Sequence, residues 1–177
     1  LDQAIRMADS GGVEAVNMRA LSEALGVVPM ALYKHVVNKE ALLDGMVEQI
    51  ITEIEPCTGG PDWKAAVRRR VLAARTVLTR HLWASRVIES RTSASPAALA
   101  YMDSLMGLFR AGGLSVDLTH HAMHALGSRM WGFTQEVFPT SDPKAPLDDL
   151  AQEAMLTAAA STYPHIVEIA RAARHEP

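Results

Sequence analysis

The sequence predicts an all-α protein, and three observations carry that prediction. Apolar residues recur at helical spacing along almost the whole chain. Very little of it alternates with the period of two that a half-buried strand needs. Residues that start or stop helices (Asn, Ser, Pro, Gly) fall at the ends of the periodic stretches.

Ile5, Ala8, Val13 and Val16 mark the first apolar stripe, which Gly11-Gly12 breaks. Asn17 is suited to cap a helix from Met18 to Leu25, and Gly26 to close it. Pro29 fits the first turn of a third helix running to about His35. Asn38 then caps a fourth, beginning at Lys39 and striped by Leu42, Met46, Ile50 and Ile54. The stretch "EPCTGGPD" is the clearest linker, near 55–62. A long helix is expected from Asp62 to Leu82, then a short one, then one from Pro96 to Ala111 before Gly112-Gly113. Ser115 caps a helix expected to reach Phe138. "PTSDPKAP" is a loop, and two further helices follow, the last opening at Pro164.

Composition narrows the function classes. The 177 residues are 49% hydrophobic, enough for a substantial core or for a small module beside a larger one. A formal net charge of −3 gives no global attraction to nucleic acid or to an anionic membrane, so any such contact must be local. The single cysteine, Cys57, excludes an internal disulfide and fits a reducing compartment. No apolar run approaches the ~20 residues of a membrane span. With no signal-like start, the cytoplasm is the expected location and no membrane partner is expected. Leu1 already stands in a helical pattern without an initiating Met, so residues are expected ahead of it; the far end is left open.

The segment "GVVPMALYKHVVNKEALL" places Tyr33, Lys34 and His35 side by side between a Gly-Val turn and an Asn-Lys helix start. Three short helices with a tight Gly turn between the second and third read as a helix-turn-helix, whose last helix docks in the DNA major groove. Phosphates flank such a helix, so donors on long arms are needed: Tyr33, Lys34, His35 and Lys39 supply them. The backbone N–H groups near Asn38 offer a further phosphate site. Arg19 is placed to reach a base edge or a phosphate. Against this, residues 1–54 hold eight acidic and four basic side chains, and a helix-turn-helix can be a structural corner only.

"MRALSEALGVVPMALYKHVVNKEALLDGM" resembles the DNA-binding domain of the tetracycline-repressor (TetR) family of transcriptional regulators. The marks are the Leu-x-x-x-Leu-Gly-Val turn, the Leu-Tyr-x-His helix and the Asn-Lys-x-x-Leu-Leu entry to the fourth helix, over roughly the first 54 residues. The resemblance implies a helix-turn-helix domain over 1–45 and a larger helical domain over 46–177 that binds an effector and dimerises. It also implies phosphate contacts at Tyr33, His35 and Lys39, and base-facing positions at Arg19 and over Pro29, Met30, Ala31 and Lys34. One departure stands out: the position before Pro29, commonly a small hydroxyl residue in the family, is Val28, which cannot cap. Met30 and Ala31 suggest van der Waals reading, such as of thymine methyls.

The partners so implied are double-stranded operator DNA, a small apolar or aromatic effector, and a second copy of the chain. No cofactor, metal or catalytic residue is expected. Candidate pocket residues are Trp83, Tyr101, Met102, Met106, Met123, His124, Met130, Trp131, Gln135 and Phe138; methionines repack around varied apolar ligands, though each of these residues can equally be core. Ala122, Gly127, Trp131, Ala154 and Ala158 are candidates for the dimer seam, because small residues allow close helix approach. Two stripes, one through Leu118 and Ala122 and one through Val116, Met123 and Gly127, give the helix from Ser115 more than one apolar side. Ile50, Ile51 and Ile54 are expected against the larger domain, making the fourth helix a lever between the two. The alternative is a small helical metal-dependent enzyme or metal-binding protein centred on the histidine run 120–124. His120 and His124 can face one ion, but no H-E-x-x-H and no third ligand is evident.

Overall fold

The computed structural model describes residues 1–57, 60, 62–91, 93–130 and 149–173, with the helical backbone alone at 128–130, 149–152 and 173. The elements are α1 (Asp2–Gly11), α2 (Met18–Leu25), α3 (Pro29–Leu32), α4 (Lys39–Thr52), α5 (Trp63–Arg80), α6 (Ala84–Glu89), α7 (Pro96–Ala111), α8 (Val116–Met130), α9 (Asp149–Ala159) and α10 (Pro164–Ala173). A 3-10 turn, Val13–Ala15, follows α1. Among the described residues there is no strand.

Two compact units emerge. The first joins Leu1–Glu55 with Leu72–Arg91; the second joins Pro56–Val71 with Thr92–Pro177. The sequence leads one to expect domains over 1–45 and 46–177; by contacts, residues 46–55 and 72–91 group with the first unit. Helix α5 is therefore shared, its residues up to Val71 in the second unit and the rest in the first.

In the first unit α1 packs on α2 and α4, α2 on α3, and α4 on α6. Helix α4 is enclosed on several sides, with Met46 and Ile50 at 0% exposure. Its buried residues, Leu42, Leu43, Met46, Val47, Ile50 and Ile51, span a broad face, and α4 packs on both α1 and α6. Ile50, Ile51 and Ile54, expected against the larger domain, are buried and belong to the first unit. Each such side chain contributes roughly 1.5–3 kcal/mol on burial.

In the second unit α7 packs on α8 and α10, and α10 also on α8 and α9. Its core runs along α7 through Met102, Leu105, Met106 and Phe109. Gly112 is needed where α7 ends, since a Cβ there would overlap the Trp63 indole, which meets Phe109 edge-on. Asp103 accepts hydrogen bonds from the backbone N–H groups of His165 and Ile166, at 2.7 and 3.0 Å. A carboxylate from α7 thereby caps the start of α10. On α8 the inward position is Thr119, fully buried, whereas Leu118 of the expected stripe is exposed. That helix is described to Met130; the expected extension to Phe138 lies outside the described residues.

Candidate nucleic-acid interface

The interface is built by local rules that the sequence obeys closely. The Asn17 side chain accepts a hydrogen bond from Ala20 N–H at 2.9 Å and starts α2. Gly26 ends it in the left-handed region at φ 66°, where only glycine is unstrained, and Val27 N–H closes back on Ser22 at 3.0 Å. Val28 precedes α3 without any side-chain cap, as its identity requires. Pro29 supplies the first helical position. Helix α3 is a single turn ending at Leu32, not the two turns expected; His35 and Val36 N–H both bond the Leu32 carbonyl in the turn that follows. Asn38 then caps α4, accepting from Ala41 N–H at 2.8 Å.

Leu21 and Leu32 are the buried anchors that fix α3 on α2. What they leave outside is the candidate face. Pro29, Met30, Tyr33, Lys34, His35 and Lys39 are exposed, and Ala31 is half-buried. Met30 is 72% exposed and Val28 68%, a cost in apolar surface that a monomeric fold gains nothing from. Arg19 is exposed and paired with Glu23 one turn on, Nε to carboxylate 3.0 Å. Such a surface pair is weak enough to exchange for a phosphate or a base edge.

The acidic excess of residues 1–54 is answered by side chains the sequence did not point to. Residues 72–91 of the same unit carry four arginines and one glutamate. Arg91, mostly buried, bonds Glu40 at 2.7 Å and Asp44 at 3.0 Å, neutralising the acids that follow Lys39. Separations of 51 and 47 residues leave no local signal for these pairs.

The pocket candidates are dispersed. Tyr101, Met102 and Met106 are buried together on α7 in the second unit. Trp83 belongs to the first unit, buried, its indole N–H donating to Asp9 at 2.8 Å. Met123 is half-buried on α8 and His124 exposed. Helix α8 reaches Met130 as backbone, and Trp131, Gln135 and Phe138 lie outside the described residues. Of the seam candidates, Ala122 and Gly127 are half-buried and Ala154 and Ala158 exposed.

Sequence reasoning missed Arg70. Its guanidinium, 7% exposed, lies over the Tyr101 ring at 4.5 Å and donates from Nε to Ser104 Oγ at 3.1 Å. Burial holds the Arg70 pKa below the ordinary guanidinium value, with the Tyr101 phenol opposing. Burial pushes Tyr101 up to about 12, against the pull of Arg70.

The model of the tetracyclin repressor-like C-terminal domain matches residues 55–176, and that of the bacterial regulatory proteins of the tetR family matches residues 1–46. The chain belongs to the TetR family. The HTH-type transcriptional repressor DrrR1 of Streptomyces coeruleorubidus is 31% identical to this TetR-family chain over 117 residues, 65% of the chain. The match spans 43% of DrrR1, so the chain spans less than half of that relative's length. A possible TetR family transcriptional regulator from Streptomyces coelicolor A3(2) superposes with a TM-score of 0.68 at 29% identity, covering 94% of this chain and 83% of that one. ActR of Streptomyces coelicolor, in a crystal structure with actinorhodin, shares the fold with a TM-score of 0.66 at 24% identity, over 96% of this chain and 83% of that one. Among the described residues no helix is long and apolar enough to cross a membrane.

Proposed function

We propose that this TetR-family protein is a ligand-responsive DNA-binding regulator, a repressor that leaves its operator when a small apolar or aromatic effector binds. The observation that carries the reading is the exposed set on and after α3. Tyr33, Lys34, His35 and Lys39 stand outward beside the Asn38-capped start of α4. Long-armed donors and a helix N-terminus in one place suit two runs of phosphate. The exposed Met30 and half-buried Ala31 at the tip of α3 suit thymine methyls in the groove between them.

The effector reading rests on the second unit. Buried Met102 and Met106 give a core able to repack around an apolar ligand, and the neighbouring Arg70, Tyr101 and Ser104 supply polar groups able to fix orientation. The protein acts as a homodimer through small residues of α8 and α9, such as Gly127 and Ala158, and has no catalytic activity. An effector lowers operator affinity by its differential binding to the two dimer arrangements. The metal-dependent enzyme reading has no support in the geometry. Among the described residues no three His, Cys, Asp or Glu side chains gather as a metal set would require.

Lys39→Ala tests the interface. Binding should weaken similarly on all DNA sequences, and the slope of log K against log salt should flatten by about one unit. An unchanged slope removes Lys39 from the interface, and no mobility shift with the unaltered protein on DNA flanking its own gene removes the reading.

A further inference from the structure

Helix α8 carries three histidines within one and a half turns that the DNA-binding reading leaves unused. His121 turns toward Asp117, with Nδ1 3.6 Å from the carboxylate. His120 and His124 turn toward each other. Their Nε2 atoms are 2.8 Å apart, and their rings meet at 68° with centroids 4.5 Å apart. Positions four apart lie on one helix face, so this approach follows from the backbone.

Two imidazole nitrogens at 2.8 Å share one proton, which one ring donates to the other's lone pair. A metal ion can take the place of that proton, since both Nε2 atoms then direct lone pairs at one point. The separation selects the ion. Nitrogens at that spacing, each about 2.0 Å from a shared ion, subtend about 90° at it, whereas a tetrahedral site would hold them about 3.3 Å apart. A right-angled pair of imidazoles suits the tetragonal geometry of Cu(II) or Ni(II) better than Zn(II). Affinity order points the same way, with Cu(II) first.

We propose that His120 and His124 form a chelate for a divalent transition-metal ion, Cu(II) before Ni(II). Among the described residues no third His, Cys, Asp or Glu ligand joins the pair. It stands independently of the DNA-binding reading.

The test is titration of the tag-free full chain with Cu(II), followed by electron paramagnetic resonance and by competition with a weak chelator. A single bound ion with hyperfine structure from two nitrogens is expected. His120→Gln and His124→Gln should each lower Cu(II) affinity about tenfold or more, while His121→Gln leaves it unchanged. Cu(II) should displace Zn(II) from the unaltered protein. Undiminished binding in the double variant overturns the proposal, as does an equal loss in His121→Gln.

Discussion

The two compact units are held together in different ways. In the first, long-range polar contacts tie residues 72–91 to residues 1–55: Arg80 to Glu53, His81 and Trp83 to Asp9, Arg86 to Glu14, and Arg91 to Glu40 and Asp44. One oxygen of Asp9 accepts from both the His81 ring and the Trp83 indole, each at 2.8 Å. In the second, the bonds between helices among the described residues include Arg70 to Ser104, a helix cap at Asp103, the Arg110–Glu168 fork and the Arg171–Glu153 pair, around a core of methionine, leucine and aromatic side chains. Among the described residues its one deeply placed cation, Arg70, packs against a ring. A unit fixed by directional bonds keeps one geometry, which a DNA-docking face needs. A methionine-rich core tolerates repacking.

The largest expected break of this contrast is Asp9→Ala. It strands two buried donors, His81 and Trp83, and should cost about 2–4 kcal/mol in urea unfolding. A loss below about 1 kcal/mol would show that the first unit is held by packing like the second.

A pH titration sharpens the second unit. The Tyr101 pKa of about 12 lies above its ordinary 10.0, so the folded state keeps a proton that the unfolded chain releases. That contribution is complete below pH 10 and lost as pH rises toward 12. It amounts to about 2–3 kcal/mol. Tyr101→Phe should make the stability curve flatter by that amount over this window. A curve of unchanged steepness would mean that Tyr101 is not desolvated.

The smallest effect is at Arg91. Arg91→Ala should cost about 1 kcal/mol of stability and a comparable amount of DNA affinity, by leaving Glu40 and Asp44 to repel phosphate. Lys in its place should restore most of the affinity but less of the stability, since it supplies charge without the Nε–H bond that Arg91 donates to the Val87 carbonyl. Equal loss in both variants would assign Arg91 a structural role alone.

Much of the geometry of the candidate interface was legible in the sequence because it is local. Asn17, Gly26, Pro29 and Asn38 act on residues two to four positions away, and each does in the structure what its chemistry requires. The length of α3 was not legible, since nothing in "LYKH" distinguishes a second helical turn from the looser turn that forms. The Asp9–His81 and Arg91–Glu40 pairs were invisible for another reason: 72 and 51 residues separate the partners. Leu118 shows the limit of apolar stripes. Period alone does not say which of two adjacent positions, Leu118 or Thr119, turns inward; the hydroxyl of Thr119 settles its own burial by bonding the Ser115 carbonyl at 2.8 Å.

Helix α5 changes allegiance between Val71 and Leu72, and this bears on how members of such a family can be recombined. Similarity to the two family models breaks between residues 46 and 55, which invites grafting a foreign reading head at that seam. Such a chimera would bring its own partners for α1 and α4 but inherit His81, Trp83, Arg86 and Arg91 from the host. The cut would thus separate the donors of residues 81–91 from their acceptors Asp9, Glu14, Glu40 and Asp44. A graft that carries residues 72–91 along with 1–55 keeps donor and acceptor from one parent, and with them the geometry of the head.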